Sequence, residues 1–364
     1  MEAKIIVGAN LGDEGKGTVT ARYAMQSDGR VLNVLTNGGA QRGHSVLKDG
    51  NYTTFQHFGS GTCVGADSYY SIYYILNPIQ FKREYDTLII KPKRIIRDKR
   101  CRWSTPYDSM ANIIEQTAAK SYASCGMGIW NTIKRYSETK CISFDDFIAL
   151  DEESKIQYLK SVKQYYEMRT KDIMSYEWQK IWSSENIILH FIYDCNFMYS
   201  ITEVSETSNI ITSYDSVIFE NGQGLMLSDR GLDESDRTPS KTGIEYAMNI
   251  LNENNISKEN ITAHYVTRSY MTRHGYGLIN GETERTNIST DINEDFANHF
   301  NDNQGEFRYG ILDISKLSHR IKKDAGDVKF KVEVTHCDEV DRESEFRKEF
   351  NNIEFYDKAE ISPE

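Results

Sequence analysis

The run Lys4-Ile5-Ile6-Val7-Gly8-Ala9-Asn10-Leu11-Gly12-Asp13-Glu14-Gly15-Lys16-Gly17-Thr18 sets the architecture of the 364-residue chain. A short apolar segment enters a glycine-rich turn and leaves as a helical stretch, Val19–Met25. Strand, glycine turn and helix in this order aim backbone N–H groups and the positive end of a helix at a phosphate. A Walker A loop requires Gly where Asn10 stands and Ser or Thr where Gly17 stands, so the turn is not a standard P-loop. It also carries a carboxylate, Asp13, close to Lys16. A carboxylate there repels phosphate unless a magnesium ion or a proton transfer needs it.

Outward from this turn, brief β-rich runs recur at Lys4–Val7, Arg30–Leu35, Thr87–Ile90, Ser216–Phe219, Ile261–Val266 and Lys329–Val334. They suit buried strands of a parallel sheet. Longer helical patterns, such as Pro106–Lys120 and Lys155–Trp182, lie between them. The expected class is α/β: a mostly parallel central sheet with flanking helices, P-loop-NTPase-like, with helical insertions. With 5 prolines, no internal repeat and no Pro- or Gly-rich linker, one domain over 1–364 is expected, with a helix-rich insertion over 100–206. The one basic run, 91–102, is interrupted by Ile95 and Ile96 and reads as a solvated turn leading into a strand rather than a nucleic-acid patch.

Charge and composition narrow the partners. The 43 Lys+Arg against 54 Asp+Glu leave −11, a poor basis for general binding of nucleic acid or anionic membrane. No apolar run approaches the length of a membrane span, and the N-terminus has no signal-peptide pattern, which points to a cytoplasmic protein. The 6 cysteines are scattered and read as reduced thiols; the 8 histidines show no metal-ligand spacing. Any metal is then expected to be Mg2+, held partly through phosphate oxygens.

Gly12-Asp13-Glu14-Gly15-Lys16-Gly17 after a strand resembles the signature of the adenylosuccinate synthetase family, and further motifs follow in order. Asn37-Gly38-Gly39-Ala40-Gln41-Arg42-Gly43-His44-Ser45 resembles the second loop, Gly-Gly-x-x-x-Gly-His-Thr, and is followed by His57-Phe58-Gly59-Ser60-Gly61. Ser124-Cys125-Gly126-Met127-Gly128-Ile129 is similar to Thr-Thr-Gly-Arg-Gly-Ile, and Phe219-Glu220-Asn221-Gly222-Gln223-Gly224 to Phe-Glu-Gly-Ala-Gln-Gly. Thr267-Arg268 with Thr272-Arg273-His274-Gly275-Tyr276-Gly277, Arg308-Tyr309-Gly310-Ile311-Leu312-Asp313 and Thr335-His336-Cys337-Asp338 complete a series that covers nearly the whole chain.

The resemblance implies a ligase that joins L-aspartate to the 6-position of a purine monophosphate at the expense of a nucleoside triphosphate. It gives Asp13 the role of base on the purine N1 proton and His44 that of general acid. Lys16 and Gln223 match the groups that stabilise the 6-oxyanion, a form of charge stabilisation that is often the largest catalytic term. Asp13 and the Gly43 carbonyl would hold Mg2+. The nucleotide-binding set is Gly12, Glu14, Gly15, Gly17, Thr18, Gln41, Gly43, Ser45, Ser124, Cys125, Thr242 and Asp338. The family is homodimeric and lends an arginine to the neighbouring subunit's substrate phosphate; Arg135 is the nearest match.

Three departures shape the expectation further. The family's arginine-rich aspartate loop corresponds to 302–308, where only Arg308 is left, so either Arg273 or Arg308 shares in holding the dicarboxylate or the amino donor is bound differently. His336 replaces the family's guanine-reading Lys while Asp338 stays, which makes ATP an alternative donor to GTP. The chain is also compact, as in a bacteriophage branch whose members act on dGMP with ATP or dATP; there the base position is Ser, so the retained Asp13 points to an inosinate-type acceptor. A phage-encoded enzyme would work in the host cytoplasm. A nucleotide-binding protein without turnover is the reading from another class.

Overall fold

Strand β1 (Glu2–Gly8) is buried from Ala3 to Gly8 on both faces, as a central parallel strand covered by helices must be. The computed structural model describes residues 1–120, 124–228, 238–292, 305–357 and 361; part of the expected aspartate loop, 302–304, and the closing residues 362–364 lie outside these. From β1 the chain runs through α1 (Lys16–Gln26), β2 (Val31–Leu35), the hairpin β3 (His44–Lys48) and β4 (Asn51–Phe55), and β5 (Asp67–Tyr70). Then come β6 (Ile75–Leu76), α2 (Pro78–Thr87), β7 (Ile95–Asp98) and β8 (Arg102–Trp103). A helical stretch follows: α3 (Pro106–Ala119), α4 (Ile129–Glu138), α5 (Phe144–Ala149), α6 (Glu152–Thr170), α7 (Tyr176–Trp182) and α8 (Asn186–Ile201). The chain returns to the sheet with β9 (Glu203–Ser205), β10 (Ser216–Gly224), α9 (Glu245–Glu253) and β11 (Ile261–Arg268). It closes with β12 (Met271–His274), α10 (Arg285–Ile288), β13 (Phe307–Gly310), α11 (Ile314–Ala325), β14 (Phe330–Thr335), α12 (Glu343–Glu349) and β15 (Ile353–Phe355).

Nine strands pair in the order β15-β14-β11-β1-β10-β2-β5-β7-β9, every pairing parallel. The fold is therefore α/β with a parallel central sheet. The link from β10 to β11 passes over β1, so loops from three adjacent strands gather at one end of the sheet. In such sheets ligands bind outside the carboxyl ends of the strands, where the strand order reverses. One apolar core packs α9 and α11 against β1, β10 and β11 through Ala247, Ile250, Leu317 and Ile321. A second, aromatic core joins α2 through α8 around Phe81, Trp103 and Phe191.

Five of the six expected strands lie in the sheet within a residue or two of their expected starts. Thr87–Ile90 does not. Asn77 caps α2 by accepting a hydrogen bond from the Gln80 N–H, with Pro78 in the first turn, and the helix runs on through Thr87. Ile89 is left 78% exposed. The strand is instead β7, inside the basic run, so the turn-into-strand reading of that run holds. The single helix expected over Lys155–Trp182 is two, because Ser175 caps α7 by accepting from the Trp178 N–H.

Candidate active site

Residues 8–15 fold over the end of β1, braced from inside by a carboxylate. Glu14 is 1% exposed, and its Oε1 accepts from the N–H groups of Asn10 at 3.0 Å and Gly12 at 2.8 Å. Its Oε2 accepts from Lys16 Nζ at 2.8 Å. Glu14 is thus a scaffold residue, and what it offers a nucleotide is its backbone. A Cβ on Gly8 would come within 2.4 Å of Glu14 Oε2 and 2.7 Å of Lys16 Nζ, which is why glycine stands there. Helix α1 starts at Gly15 with no side-chain cap and no acidic residue in its first turn. Its first N–H groups and its dipole are left for an anion. Gly17 packs against the backbone of His44 and Ser45, and Thr18 Oγ1 lies 3.5 Å from the Ser45 carbonyl.

Asp13 has a left-handed backbone, φ 60°, and Arg268 donates its Nε–H to the Asp13 carbonyl at 2.6 Å. The Asp13 carboxylate accepts no hydrogen bond from any described residue. Burial raises its pKa, against the pull of Lys16 and Arg268. A carboxylate so placed can accept a proton from a group brought against it.

The second loop, 37–45, meets the first beside β10. His44 Nδ1 lies 2.5 Å from Glu220 Oε1, and the carboxylate can only accept, so Nδ1 carries the proton and Nε2 is the exchanging nitrogen. Glu220 is fully buried and also accepts from the Ser60 N–H at 2.9 Å and the Ser60 hydroxyl at 2.7 Å. Although burial works against it, these bonds hold the Glu220 carboxyl down at about 2. Burial pushes the His44 imidazole below its usual value. Ser45 shares a hydrogen bond with Thr54, which leaves Gly43 exposed at the loop's tip.

Gln223, at the end of β10, is also left-handed, φ 65°. Thr238 donates its hydroxyl to Gln223 Oε1 at 2.6 Å, which leaves the amide NH2 as the outward donor. A Cβ on Gly224 would stand 2.2 Å from the Asn10 carbonyl, so this loop touches the first one. Asn37 ties it to the second, accepting from the Gly222 N–H at 2.7 Å. Asn221 donates to the carbonyls of Thr242 and Gly243, and the fully buried Thr242 hydroxyl has no partner. Gln41 Oε1 has none either. Ser124 donates to Asn112 Oδ1, and the following Ile129 lies against Gly39, so the Ser124-Cys125 turn borders the same loops.

The structure therefore brings Asp13, Lys16, His44, Gln223 and Thr242 into one set of contacting loops. Asp338 sits exposed after β14, just beyond His336, another left-handed residue at φ 59°. Arg273 and Arg308 pair across the β12–β13 hairpin. Arg308 is already engaged, its Nη1 donating to both Glu282 oxygens and its Nε and Nη2 to the Gly275 and Gly277 carbonyls; Arg273 donates to the Leu278 carbonyl. Arg135, the nearest match to the arginine lent to a neighbour, is 1% exposed and paired with Asp108 of its own chain at 2.9 Å. The sequence motifs include Arg268 and Glu220 but give neither a role, and they leave Arg320 out. A lone glutamate ending an apolar strand was a usable signal. Arg320 had none; from α11 it donates to the Ala9 carbonyl and Asn10 Oδ1, holding the first loop.

Among the described residues no group of three or more His, Cys, Asp and Glu side chains is placed to hold a metal. The unbonded Asp13 carboxylate and the exposed Gly43 carbonyl are two hard oxygen donors, a set that fits magnesium completed by phosphate oxygens and water. No helix of the described residues is long and apolar enough to cross a membrane.

Comparison with known proteins bears on the family and the fold. The sequence profile of the adenylosuccinate synthetase family matches residues 5–345. No curated protein matches the chain in sequence. In fold it is similar to the fully ligated adenylosuccinate synthetase from Plasmodium falciparum, at TM-score 0.69 and 16% identity over 93% of this chain and 77% of that one. It is also similar to the succinoaminodeoxyadenylate synthetase of cyanophage S-2L bound to dGMP and dATP. There the TM-score is 0.66 at 10% identity, over 98% of this chain and 91% of that one.

Proposed function

The chain belongs to the adenylosuccinate synthetase family, and on that premise we propose that it joins L-aspartate to the 6-position of an inosinate-type purine monophosphate, using GTP or ATP. The observation that carries the reading is the Asp13 carboxylate: unbonded, raised in pKa by burial, and two loop positions from an uncapped helix N-terminus.

Asp13 takes the proton from purine N1, and the negative charge moves to the 6-oxygen. That oxygen attacks the γ-phosphorus of the triphosphate, and the bond to the departing nucleoside diphosphate breaks. The aspartate amine then displaces the 6-phosphoryl group as inorganic phosphate. Lys16 Nζ and the Gln223 amide stabilise the 6-oxyanion, while His44 exchanges a proton at Nε2 toward the phosphoryl oxygens, held in aim by Glu220. Asp13 and Gly43 would hold magnesium, which when bound neutralises phosphate charge. A homodimer in the cytoplasm belongs to the same proposal.

The test is a matrix of IMP, dIMP, GMP and dGMP against GTP, ATP and dATP, with and without aspartate, read by mass spectrometry. An aspartate-dependent succinyl adduct with IMP is expected. An adduct with dGMP alone, using ATP or dATP, would favour the second reading, which the dGMP- and dATP-bound fold relative supports. Binding without any adduct would replace both with a non-catalytic nucleotide-binding protein.

A further inference from the structure

Arg42 stands in the second loop, two residues before His44, and is 3% exposed. Its Nη1 reaches the Glu220 carbonyl at 3.4 Å and its Nη2 the Asn37 carbonyl at 3.2 Å, both long. The guanidinium lies 5.3 Å from the Tyr74 ring centroid, and Nε has no acceptor. It forms no ion pair with any described residue. The two carboxylates that feel its charge are committed elsewhere: Glu220 to His44 and Ser60, Glu84 to the N–H groups of Gln56, His57 and Phe58.

A buried cation without a counter-ion is costly, and a guanidinium cannot shed its proton to escape the cost. Glu220 and Glu84 feel this charge without touching it and compensate it only in part, which leaves it to act on an anion from outside the chain. Its surroundings fit a phosphate. Gly222, whose Cβ position lies 3.8 Å from Arg42 Nε, is bonded on both sides to Asn37, and the next strand residue back, Asn221, holds the backbone of Thr242. The Thr242 hydroxyl is fully buried and unpartnered. Arg135, the arginine expected to cross to a neighbour, is locked on Asp108.

We infer that Arg42 is the counter-charge, supplied within the chain, for the phosphate of the bound purine mononucleotide. This rests on the ligase reading above for the identity of the ligand. Arg42 acts from behind the loop, so its removal weakens the hold on phosphate and leaves the hold on the base.

Titration calorimetry with IMP and inosine on the wild type, Arg42→Met and Arg42→Lys tests this. Arg42→Met should lose roughly ten- to a hundredfold in IMP affinity with inosine unchanged, and Arg42→Lys should keep part of it. Thermal unfolding with inorganic phosphate gives a second readout: phosphate should raise the wild-type melting temperature and not that of Arg42→Met. If Arg42→Met does not fold, Arg42→Lys carries the same comparison. An unchanged ratio of IMP to inosine affinity in the substituted protein overturns the inference. So does a wild type that phosphate fails to stabilise. A wild type that binds phosphate through Arg42 but forms no adduct would overturn the ligase reading and spare this one.

Discussion

The loops over β1 and β10 and the β12–β13 hairpin are both lined with charge, yet they are built on opposite plans. Over β1 and β10 the charged groups are held by buried backbone, and the working atoms, the Asp13 carboxylate, the His44 Nε2 and the Gln223 amide, point away from every bond that holds them. On the hairpin the arginine expected to meet substrate spends its fork on Glu282 and two carbonyls. On the proposed function the first region is pre-organised for chemistry, and the second would exchange partners to grip a dicarboxylate. Electrostatic preorganisation is where most catalytic advantage lies, so the chemical step should depend on the loops and the aspartate affinity on the hairpin.

The sharpest way to break this contrast is Asp13→Asn. It should lower kcat by about a thousandfold or more while IMP binding, followed by calorimetry, stays within a few-fold. Activity within tenfold of wild type would remove Asp13 as the base. Glu220 comes next. Its carboxyl is held at about 2 against an ordinary 4.5, so it contributes stability that is complete above pH 4.5 and is lost as pH falls toward 2. That contribution is on the order of 3 kcal/mol. Glu220→Gln should flatten the fall in stability below pH 4.5 in urea unfolding, and an unchanged pH profile would contradict the assignment. The same substitution weakens a charge-assisted bond worth about 1.5–3 kcal/mol, so kcat should fall roughly ten- to a hundredfold with nucleotide KM little changed. The smallest effect belongs to the hairpin. Glu282→Gln frees Arg308 from a half-exposed ion pair, and the KM for aspartate should drop by about two- to fivefold. A KM that rises or holds would take Arg308 out of the donor site.

Much of this plan is readable in the chain itself. The β-branched runs locate β1, β2, β10, β11 and β14, because buried parallel strands need no polar alternation. Edge strands β9 and β15 have three residues each, too short for periodicity to register. Leu88-Ile89-Ile90 misleads because composition alone cannot distinguish a buried strand from the exposed end of a helix. In the site, Asp13, Lys16, His44 and Gln223 stand out through their glycines. Arg320 and Arg268 act on backbone carbonyls far away in sequence, and only the folded chain discloses such partnerships.

Asp13, Gln223 and His336 all keep a side chain where the backbone is left-handed, each a position that glycine or asparagine would occupy with less strain. Laboratory selection of this chain for heat resistance alone should therefore install Gly or Asn at these three positions, as it should at the exposed left-handed Asp49 and Lys120. The hardened descendants would melt later and turn over less, marking out the reactive centre by what they discarded.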